Sequence, residues 1–249
     1  MTVQIGATRR VIVTRSKEGN REFGESLREA GFEVVPVDTL SFLPPSNWSE
    51  VDGRLRRLHE FDWLTVTSGV GTRFFLKRMN KLLLERRWRG KPLVAAVGPG
   101  TRDILEDGGI RVQFTPSAYL TKKLALELPL NRGKKVLLLR SDIAEGGMLK
   151  TLGRRGFSVE EQVIYRTRFI TGEIEADLAS ADAIIFASPS AIESFCSRIT
   201  PLTLDSLAEK PALCIGPVTA RAAKIRGFKR IITPSVYTFE SLVRELGKL

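Results

Sequence analysis

Short apolar runs alternate with amphipathic stretches along most of the chain. The runs are nearly continuous in apolar residues, which is typical of strands buried on both faces of a parallel sheet. The stretches between them carry apolar residues at helical spacing, for example Phe23, Leu27 and Ala30. The pattern predicts a doubly wound α/β protein with strands at 11–14, 34–37, 63–67, 93–97, 112–114, 136–139, 183–186, 212–215 and 230–232.

The sequence also contains an internal duplication. Short motifs recur later in the chain with nearly constant spacing, so the same strand, loop and helix units occur twice. This repetition predicts two similar lobes with a binding cleft between them. The clearest pairs are Arg15-Ser16 with Arg140-Ser141, Ser68 with Ser188, Gly98-Pro99-x-Thr101 with Gly216-Pro217-x-Thr219, and Thr115-Pro116-Ser117-x-Tyr119 with Thr233-Pro234-Ser235-x-Tyr237.

Two equivalent stretches, 34–42 and 159–169, are longer than a sheet strand usually needs. Each is therefore expected to leave one lobe and continue into the other, and together they form a two-stranded linker. One lobe then holds both chain ends and the other holds the middle of the chain. The predicted crossings lie near 36–43 and 161–169, and the predicted lobes are 1–38 with 169–249, and 43–164.

The turns that follow the predicted strands are rich in Gly, Ser, Thr and Arg. In open α/β sheets ligands bind beyond the carboxyl ends of the strands, where helix N-termini present unpaired N–H groups. Glycine lets a ligand approach the backbone, while arginine suits a carboxylate. The same residue types also cap helices, so each turn by itself fits a structural role too. The candidate binding residues are Arg15, Thr67, Ser68, Gly69, Gly98, Thr101, Arg140, Ser188, Pro189, Ser190, Gly216 and Thr219.

Composition narrows the classes of function. The chain has 249 residues, a net charge of +11, two cysteines and one histidine, His59. This content excludes a His-rich metal site, and the spacing of Cys196 and Cys214 favours buried packing residues over metal ligands. The positive charge favours an anionic partner such as a polycarboxylate, although no nucleic-acid motif is present. A cytoplasmic location is expected, because the sequence has neither an apolar run of membrane length nor an apolar signal core.

Taken together, the motifs resemble those of the uroporphyrinogen-III synthase family over most of the chain. The resemblance implies two flavodoxin-like lobes with parallel sheets, joined by a two-stranded linker. It also implies closure of hydroxymethylbilane to uroporphyrinogen III, with inversion of ring D and loss of water, in tetrapyrrole (haem, sirohaem, cobalamin) biosynthesis. The motifs that carry it are Thr14-Arg15, Thr67-Ser68, Gly98-Pro99-x-Thr101, Tyr165-Arg166-Thr167, Ser188-Pro189-Ser190-Ala191 and Gly216-Pro217-Val218-Thr219-Ala220.

The resemblance gives Tyr165 a catalytic role and the strand-end turns a substrate-binding role. The tyrosine hydroxyl is expected to help the substrate hydroxyl leave, although a ring that only packs in the linker is the alternative. The enzyme class implied is a hydro-lyase (carbon-oxygen lyase), a cyclase without cofactor or metal. Expected partners are hydroxymethylbilane and, transiently, hydroxymethylbilane synthase, with neither nucleic acid nor membrane and with the protein acting as a monomer.

Two other classes of function remain compatible with the sequence. A two-lobed binding protein for a small polyanionic ligand without catalysis would show the same duplication, turns and charge. It would never accelerate ring closure. A nucleic-acid-binding module would account for the charge, and it would show strongly salt-dependent affinity for DNA or RNA.

Overall fold

The computed structural model describes residues 9–84, 91–130 and 134–249. The chain divides into two compact units, which we call unit 1 (Met1–Ser41 with Arg168–Leu249) and unit 2 (Phe42–Thr167). Residues 1–8, which belong to the first predicted lobe, lie outside the described residues.

The secondary structure consists of alternating strands and helices. The strands are β1 Arg10–Ser16, β2 Glu33–Leu43, β3 Trp63–Val66, β4 Leu93–Ala96, β5 Lys135–Ser141, β6 Ser158–Phe169, β7 Ala183–Phe186, β8 Pro211–Cys214 and β9 Arg230–Ile232. The helices are α1 Lys17–Glu29, α2 Trp48–Arg56, α3 Gly69–Lys81, α4 Pro99–Asp107, α5 Thr121–Glu127, α6 Gly147–Arg154, α7 Pro189–Cys196, α8 Pro201–Ala208, α9 Pro217–Ile225 and α10 Phe239–Gly247.

The sheet of unit 1 has the strand order β2-β1-β7-β8-β9, and every neighbouring pair is parallel. In chain order within the unit this is 2-1-3-4-5, which is the flavodoxin-like order. Both faces of the sheet are covered. Ile12 and Ile184 pack into one apolar cluster, while Val11 and Ile185 pack into another.

The sheet of unit 2 has the strand order β6-β5-β3-β4, again with parallel neighbours. If β5, β6, β3 and β4 are numbered 1 to 4, their order is 2-1-3-4, which matches the first four strands of unit 1. In unit 2, however, the chain reaches β3 and β4 before β5 and β6. Leu64 and Val66 pack on one face, and Trp63 and Ala95 pack on the other. These two sheets confirm the predicted parallel α/β architecture, because continuous apolar strands are covered by helices on both sides.

The predicted strand 112–114 is wrong as a full strand, since only the bridge between Ala95 and Phe114 forms there. The Gln113 side chain accounts for this difference. Its Oε1 accepts the Val94 N–H at 2.7 Å, which a neighbouring backbone carbonyl would accept in a regular ladder.

The two long strands, β2 and β6, each contain a unit boundary, between Ser41 and Phe42 and between Thr167 and Arg168. Both strands therefore carry the chain from one unit to the other, in the stretches where the sequence predicts crossings.

A largely buried ion pair joins α2 to α3 in unit 2. Arg78 Nε and Nη2 donate to the two Asp52 carboxylate oxygens, each at 2.6 Å, and both side chains are 12% exposed. The Arg78 guanidinium also lies 4.3 Å from the centre of the Trp48 ring. The hydrogen bonds and charge of Arg78 hold the pKa of Asp52 below its ordinary value.

Asp52→Asn is expected to lower the free energy of unfolding by about 1–3 kcal/mol at pH 7, because Arg78 loses a charged acceptor. The native pKa of Asp52 is depressed, so the carboxylate stabilises the fold above its unfolded-state pKa of about 4. That contribution disappears as the pH falls through the native pKa. Urea unfolding of both proteins between pH 7 and pH 3 measures this difference.

Glu209→Gln is the control, because Glu209 and its partner Lys229 are both exposed, so losing their pair should change the free energy of unfolding much less than losing the Asp52 pair. A difference between Asp52→Asn and the unmodified protein that stays constant down to pH 3 would contradict the assignment to the carboxylate.

Candidate functional site

The predicted binding residues lie at the carboxyl ends of parallel strands, or in the first turns of the helices that follow them, in both units. Because the strands of each sheet are parallel, the turns of one unit share one edge of its sheet. The structure thus brings the candidates together in two sets. Unit 2 holds Thr67, Ser68, Gly69, Gly98, Thr101, Arg140 and Tyr165, and unit 1 holds Arg15, Ser188, Pro189, Ser190, Gly216 and Thr219.

Tyr165 lies on β6 and is enclosed by side chains of unit 2, with 8% of its surface exposed. Its ring stacks on Phe74 at a centroid distance of 5.8 Å and meets Phe42 edge-on at 5.7 Å. A Cβ on Gly71 would lie 3.1 Å from Ser68 Oγ and 3.4 Å from Tyr165 Cε1, so the closer limit on a side chain there is the serine. Phe74 and Phe42 were not among the predicted site residues, since nothing in their local sequence distinguishes them from other core positions.

The Tyr165 hydroxyl lies 3.2 Å from Ser68 Oγ. Ser68 is the N-cap of α3, and its Oγ accepts the Gly71 N–H at 3.0 Å. One lone pair of Oγ is thereby used, and its own O–H is able to donate to the tyrosine oxygen. In that arrangement the tyrosine O–H points away from Ser68 Oγ and is free to be donated to another group. The hydroxyl lies beside the positive end of the α3 dipole. This geometry suits a group that transfers a proton.

Ser188 occupies the equivalent turn of unit 1 but has different neighbours. Its Oγ accepts the Ala191 N–H at 3.1 Å and lies 3.0 Å from Ser190 Oγ. Both serines cap a helix, as their duplicated motifs suggest. Of the two, Ser68 has the tyrosine partner, so the two units present different chemistry at matching positions.

Gly98 and Gly216 are the N-caps of α4 and α9. No side chain in the described part of the chain caps either helix, and proline occupies the first turn of each. The first-turn N–H groups of a helix have no intrahelical acceptor, so they are donors for an anion. Both glycines have extended backbones that any residue adopts, with φ of −168° and −169°. Space, rather than backbone conformation, therefore distinguishes glycine here.

Two tyrosines limit that space to different degrees. A Cβ on Gly98 would lie 3.2 Å from Tyr119 Cβ, whereas a Cβ on Gly216 would lie 3.6 Å from Tyr237 Cγ, an ordinary contact. Gly98 thus has a packing role beneath its tyrosine. Gly216 has room for a methyl group, so packing alone does not account for it.

Thr101 and Thr219, three positions after these glycines and in the first turns of the same helices, are both buried. Their side chains therefore lie against the protein beneath the two turns.

The two predicted arginines already have protein partners. Arg140 donates to Glu161 Oε1 at 2.5 Å, to Ser141 O at 3.2 Å and to Ala144 O. Its charge is therefore matched by a carboxylate on the adjacent strand. These bonds tie Arg140 to the turn that follows β5.

Arg15 donates to Gly19 O at 3.0 Å, and its guanidinium lies 4.0 Å from the centre of the Phe239 ring. Arg15 thus packs on an aromatic face in unit 1.

The single histidine lies away from these turns. His59 is exposed in the short 3-10 turn Leu58–Glu60. Among the described residues, no group of three or more His, Cys, Asp or Glu side chains is placed to hold a metal ion. In the same part of the chain, no helix is both long and apolar enough to span a membrane.

Both thiols are expected to react slowly with alkylating reagents at pH 8 in the native protein. Burial raises the pKa of Cys196 to about 11 and that of Cys214 to about 12, which leaves little thiolate. Labelling should be at least about 100-fold slower than in urea, where a thiol has an ordinary pKa of about 8.5. Mass spectrometry of the labelled protein, in buffer and in urea, measures both rates. Fast native labelling at Cys214 would show that the sheet around β8 opens readily.

Sequence comparison relates the chain to a known protein family. The sequence profile of the family described as uroporphyrinogen-III synthase HemD matches residues 4–244. The porphyrin biosynthesis protein HemD of Ruminiclostridium josui is 25% identical over 244 residues, covering 95% of this chain and 48% of that protein. The chain thus spans about half the length of that relative. The chloroplastic uroporphyrinogen-III synthase of Oryza sativa is 28% identical, covering 95% of this chain and 79% of that protein.

Structural comparison gives a matching fold. A crystal structure of a mutant uroporphyrinogen III synthase from Thermus thermophilus superposes with a TM-score of 0.67 at 19% identity. The match covers 97% of this chain and 98% of that chain. At this identity the likeness supports the two-domain α/β fold.

Proposed function

The chain belongs to the uroporphyrinogen-III synthase family, whose profile covers residues 4–244, and from that premise we propose that it closes hydroxymethylbilane to uroporphyrinogen III with inversion of ring D and loss of water. The structural observation that supports this activity is the Tyr165 hydroxyl, held 3.2 Å from Ser68 Oγ at the N-terminus of α3. The comparisons give no support to a binding protein without catalysis.

The proposed role of Tyr165 is general-acid catalysis. The pyrrole nitrogen of the terminal ring pushes electrons toward the hydroxymethyl carbon, and the carbon–oxygen bond breaks. Tyr165 gives its proton to the leaving oxygen, so that water departs and a resonance-stabilised azafulvene cation remains. The Ser68 O–H then donates to the phenolate oxygen, which disperses the negative charge left on the tyrosine.

Positioning of the substrate is the larger task. Ring D has to be attacked at its substituted carbon, giving a spiro intermediate, because attack at the free carbon gives the isomer without inversion. We assign this task to the strand-end turns, whose helix N-termini attract carboxylates. The net charge of +11 favours a substrate with eight carboxylates. Gly216, the first turn of α9 and the Ser188 turn would contribute from unit 1, and Gly98 with the Thr67–Gly69 turn from unit 2.

We further propose that the protein is a hydro-lyase (carbon-oxygen lyase) that works as a monomer without cofactor, in the cytoplasm. Transient transfer of substrate from hydroxymethylbilane synthase belongs to the same proposal, because the linear substrate closes without inversion when left free. The rice relative is named as chloroplastic, so location differs within the family.

The test is isomer analysis of the product formed from hydroxymethylbilane. The unaided reaction gives the type I isomer, so rapid formation of type III in the presence of the protein supports the proposal. Chromatography of the oxidised porphyrins separates the two isomers. Formation of type I alone, at the rate without protein, would reject the synthase activity, and binding of hydroxymethylbilane under those conditions would favour the binding-protein alternative.

A further inference from the structure

Asp142, directly after β5, contacts the strand β6 on both sides of Arg166. The Thr167 N–H donates to Asp142 Oδ1 at 2.8 Å. The Asp142 N–H donates to the Tyr165 carbonyl at 3.3 Å. One residue therefore binds the backbone at Tyr165 and two positions later, and all of these residues belong to unit 2.

These contacts lie where the pairing of β5 with β6 becomes irregular. The register shifts between Arg140 and Ser141, and Ser141 is then paired with Tyr165. An irregularity of this kind leaves backbone groups without their regular ladder partners. The Asp142 carboxylate accepts one such N–H, that of Thr167, so it helps to determine where the strand continues beyond the tyrosine.

The duplicated unit shows what the fold requires at this position. In unit 1 the pairing of β1 with β2 shifts between Arg15 and Ser16, and Ser16 is then paired with Leu40. The residue after Ser16 is Lys17, which matches Asp142 in the repeat, and Leu40 matches Tyr165. A lysine side chain has no acceptor for a backbone N–H. The same irregularity therefore forms without an aspartate when no tyrosine is present.

We propose that Asp142 is a positioning residue for the reaction, holding the Tyr165–Thr167 backbone so that the tyrosine hydroxyl stays beside Ser68. This inference rests on the proposed catalytic role of Tyr165. The hydroxyl contact is 3.2 Å long, so a small displacement of the strand breaks it. Asp142 itself acts through the strand and has no part in proton transfer.

The experiment is a double-mutant cycle in the full chain, with Asp142→Ala and Tyr165→Phe separately and combined. Asp142→Ala alone should lower kcat about tenfold with little change in KM, because positioning of the acid is lost while substrate contacts remain. In the Tyr165→Phe background the same substitution should have less than about a twofold effect. Asp142→Asn should restore most of the rate, because its amide oxygen still accepts the Thr167 N–H.

Amide hydrogen exchange at Thr167, measured by NMR, gives a readout that does not depend on activity. Exchange at this amide should quicken in Asp142→Ala and remain slow in Asp142→Asn. Asp142→Lys is the second variant, because it places the residue of unit 1 in unit 2 and should fold while losing the acceptor. Lys17→Ala is the matched control at the equivalent irregularity, and it should change neither kcat nor Thr167 exchange.

Three results would overturn the inference. Equal loss of kcat on Asp142→Ala with and without Tyr165→Phe would reject it while leaving the proposed function intact. Full activity of Tyr165→Phe alone would reject the acid role of Tyr165 and the inference with it. Failure of both Asp142→Ala and Asp142→Lys to fold would show that the aspartate has a structural role in unit 2.

Discussion

Tyr165→Phe is expected to slow ring closure on the order of 100-fold or somewhat more, with little change in KM. The phenyl ring keeps the contacts with Phe74 and Phe42, while the hydroxyl beside Ser68 is lost. One acid supplies only part of the barrier reduction, because the electron-rich pyrrole already activates the leaving hydroxyl. The measurement is kcat and KM for hydroxymethylbilane, with the isomer ratio of the product.

Tyr119→Phe is the matched control, since it removes a hydroxyl from an exposed tyrosine outside the proposed machinery and should leave kcat unchanged. Full activity of Tyr165→Phe would leave Tyr165 with a packing role only. A folded but wholly inactive Tyr165→Phe would be equally informative. It would show that Tyr165 supplies nearly all of the catalysis, rather than one part of it.

Much of the fold follows from the apolar pattern alone. Continuous apolar strands such as Val11–Val13 identify buried parallel strands, because both faces of each sheet are covered by helices. The two long strands were predicted from their length, since each is longer than a strand within one sheet needs to be. The same pattern wrongly predicted a full strand at 112–114. Its shortening depends on a side-chain hydrogen bond from Val94 to Gln113, which periodicity does not encode.

The candidate site was predictable only in part. The duplicated turns identify Ser68 and Gly216 as helix caps, but the sequence does not show that Ser68 alone of the two capping serines meets a tyrosine. That contact joins β6 to a turn almost a hundred residues earlier, so it depends on the order of strands in unit 2. The sequence does not predict the ion pair of Arg140 with Glu161 either, because the pair joins two strands that are neighbours only in the folded sheet.

A signal for Asp142 was present in the sequence and lay in a difference between the two copies. The repeated Arg-Ser motif is followed by Lys17 in one copy and by Asp142 in the other. Positions where a duplicated fold diverges are candidates for function, because the fold itself has been built without that residue. The connection with Tyr165 depends on the fold, which places Asp142 against the backbone of β6.

Gly216→Val is expected to raise KM for hydroxymethylbilane by about tenfold or more, which corresponds to the loss of one charge-assisted hydrogen bond of about 1.5–3 kcal/mol. The added methyl groups would stand beside Tyr237 at the N-terminus of α9 and obstruct approach to its first-turn N–H groups. A poorly positioned substrate should also close without inversion more often, so the type I share of the product should rise. Kinetics and isomer analysis on the same samples measure both effects.

Gly216 is a sharper test than Gly98, because a side chain at Gly98 would displace Tyr119 and confuse binding with packing. Gly216→Ala provides the intermediate step, since its Cβ fits at an ordinary contact distance and should raise KM less than valine does. Gly53→Ala is the control: its Cβ meets no neighbouring atom in α2, so stability should rise by up to about 1 kcal/mol with KM and the isomer ratio unchanged. If Gly216→Val kept the KM and isomer ratio of the unmodified protein while remaining folded, the N-terminus of α9 would have no part in holding the substrate, and the binding role would have to lie with the other turns.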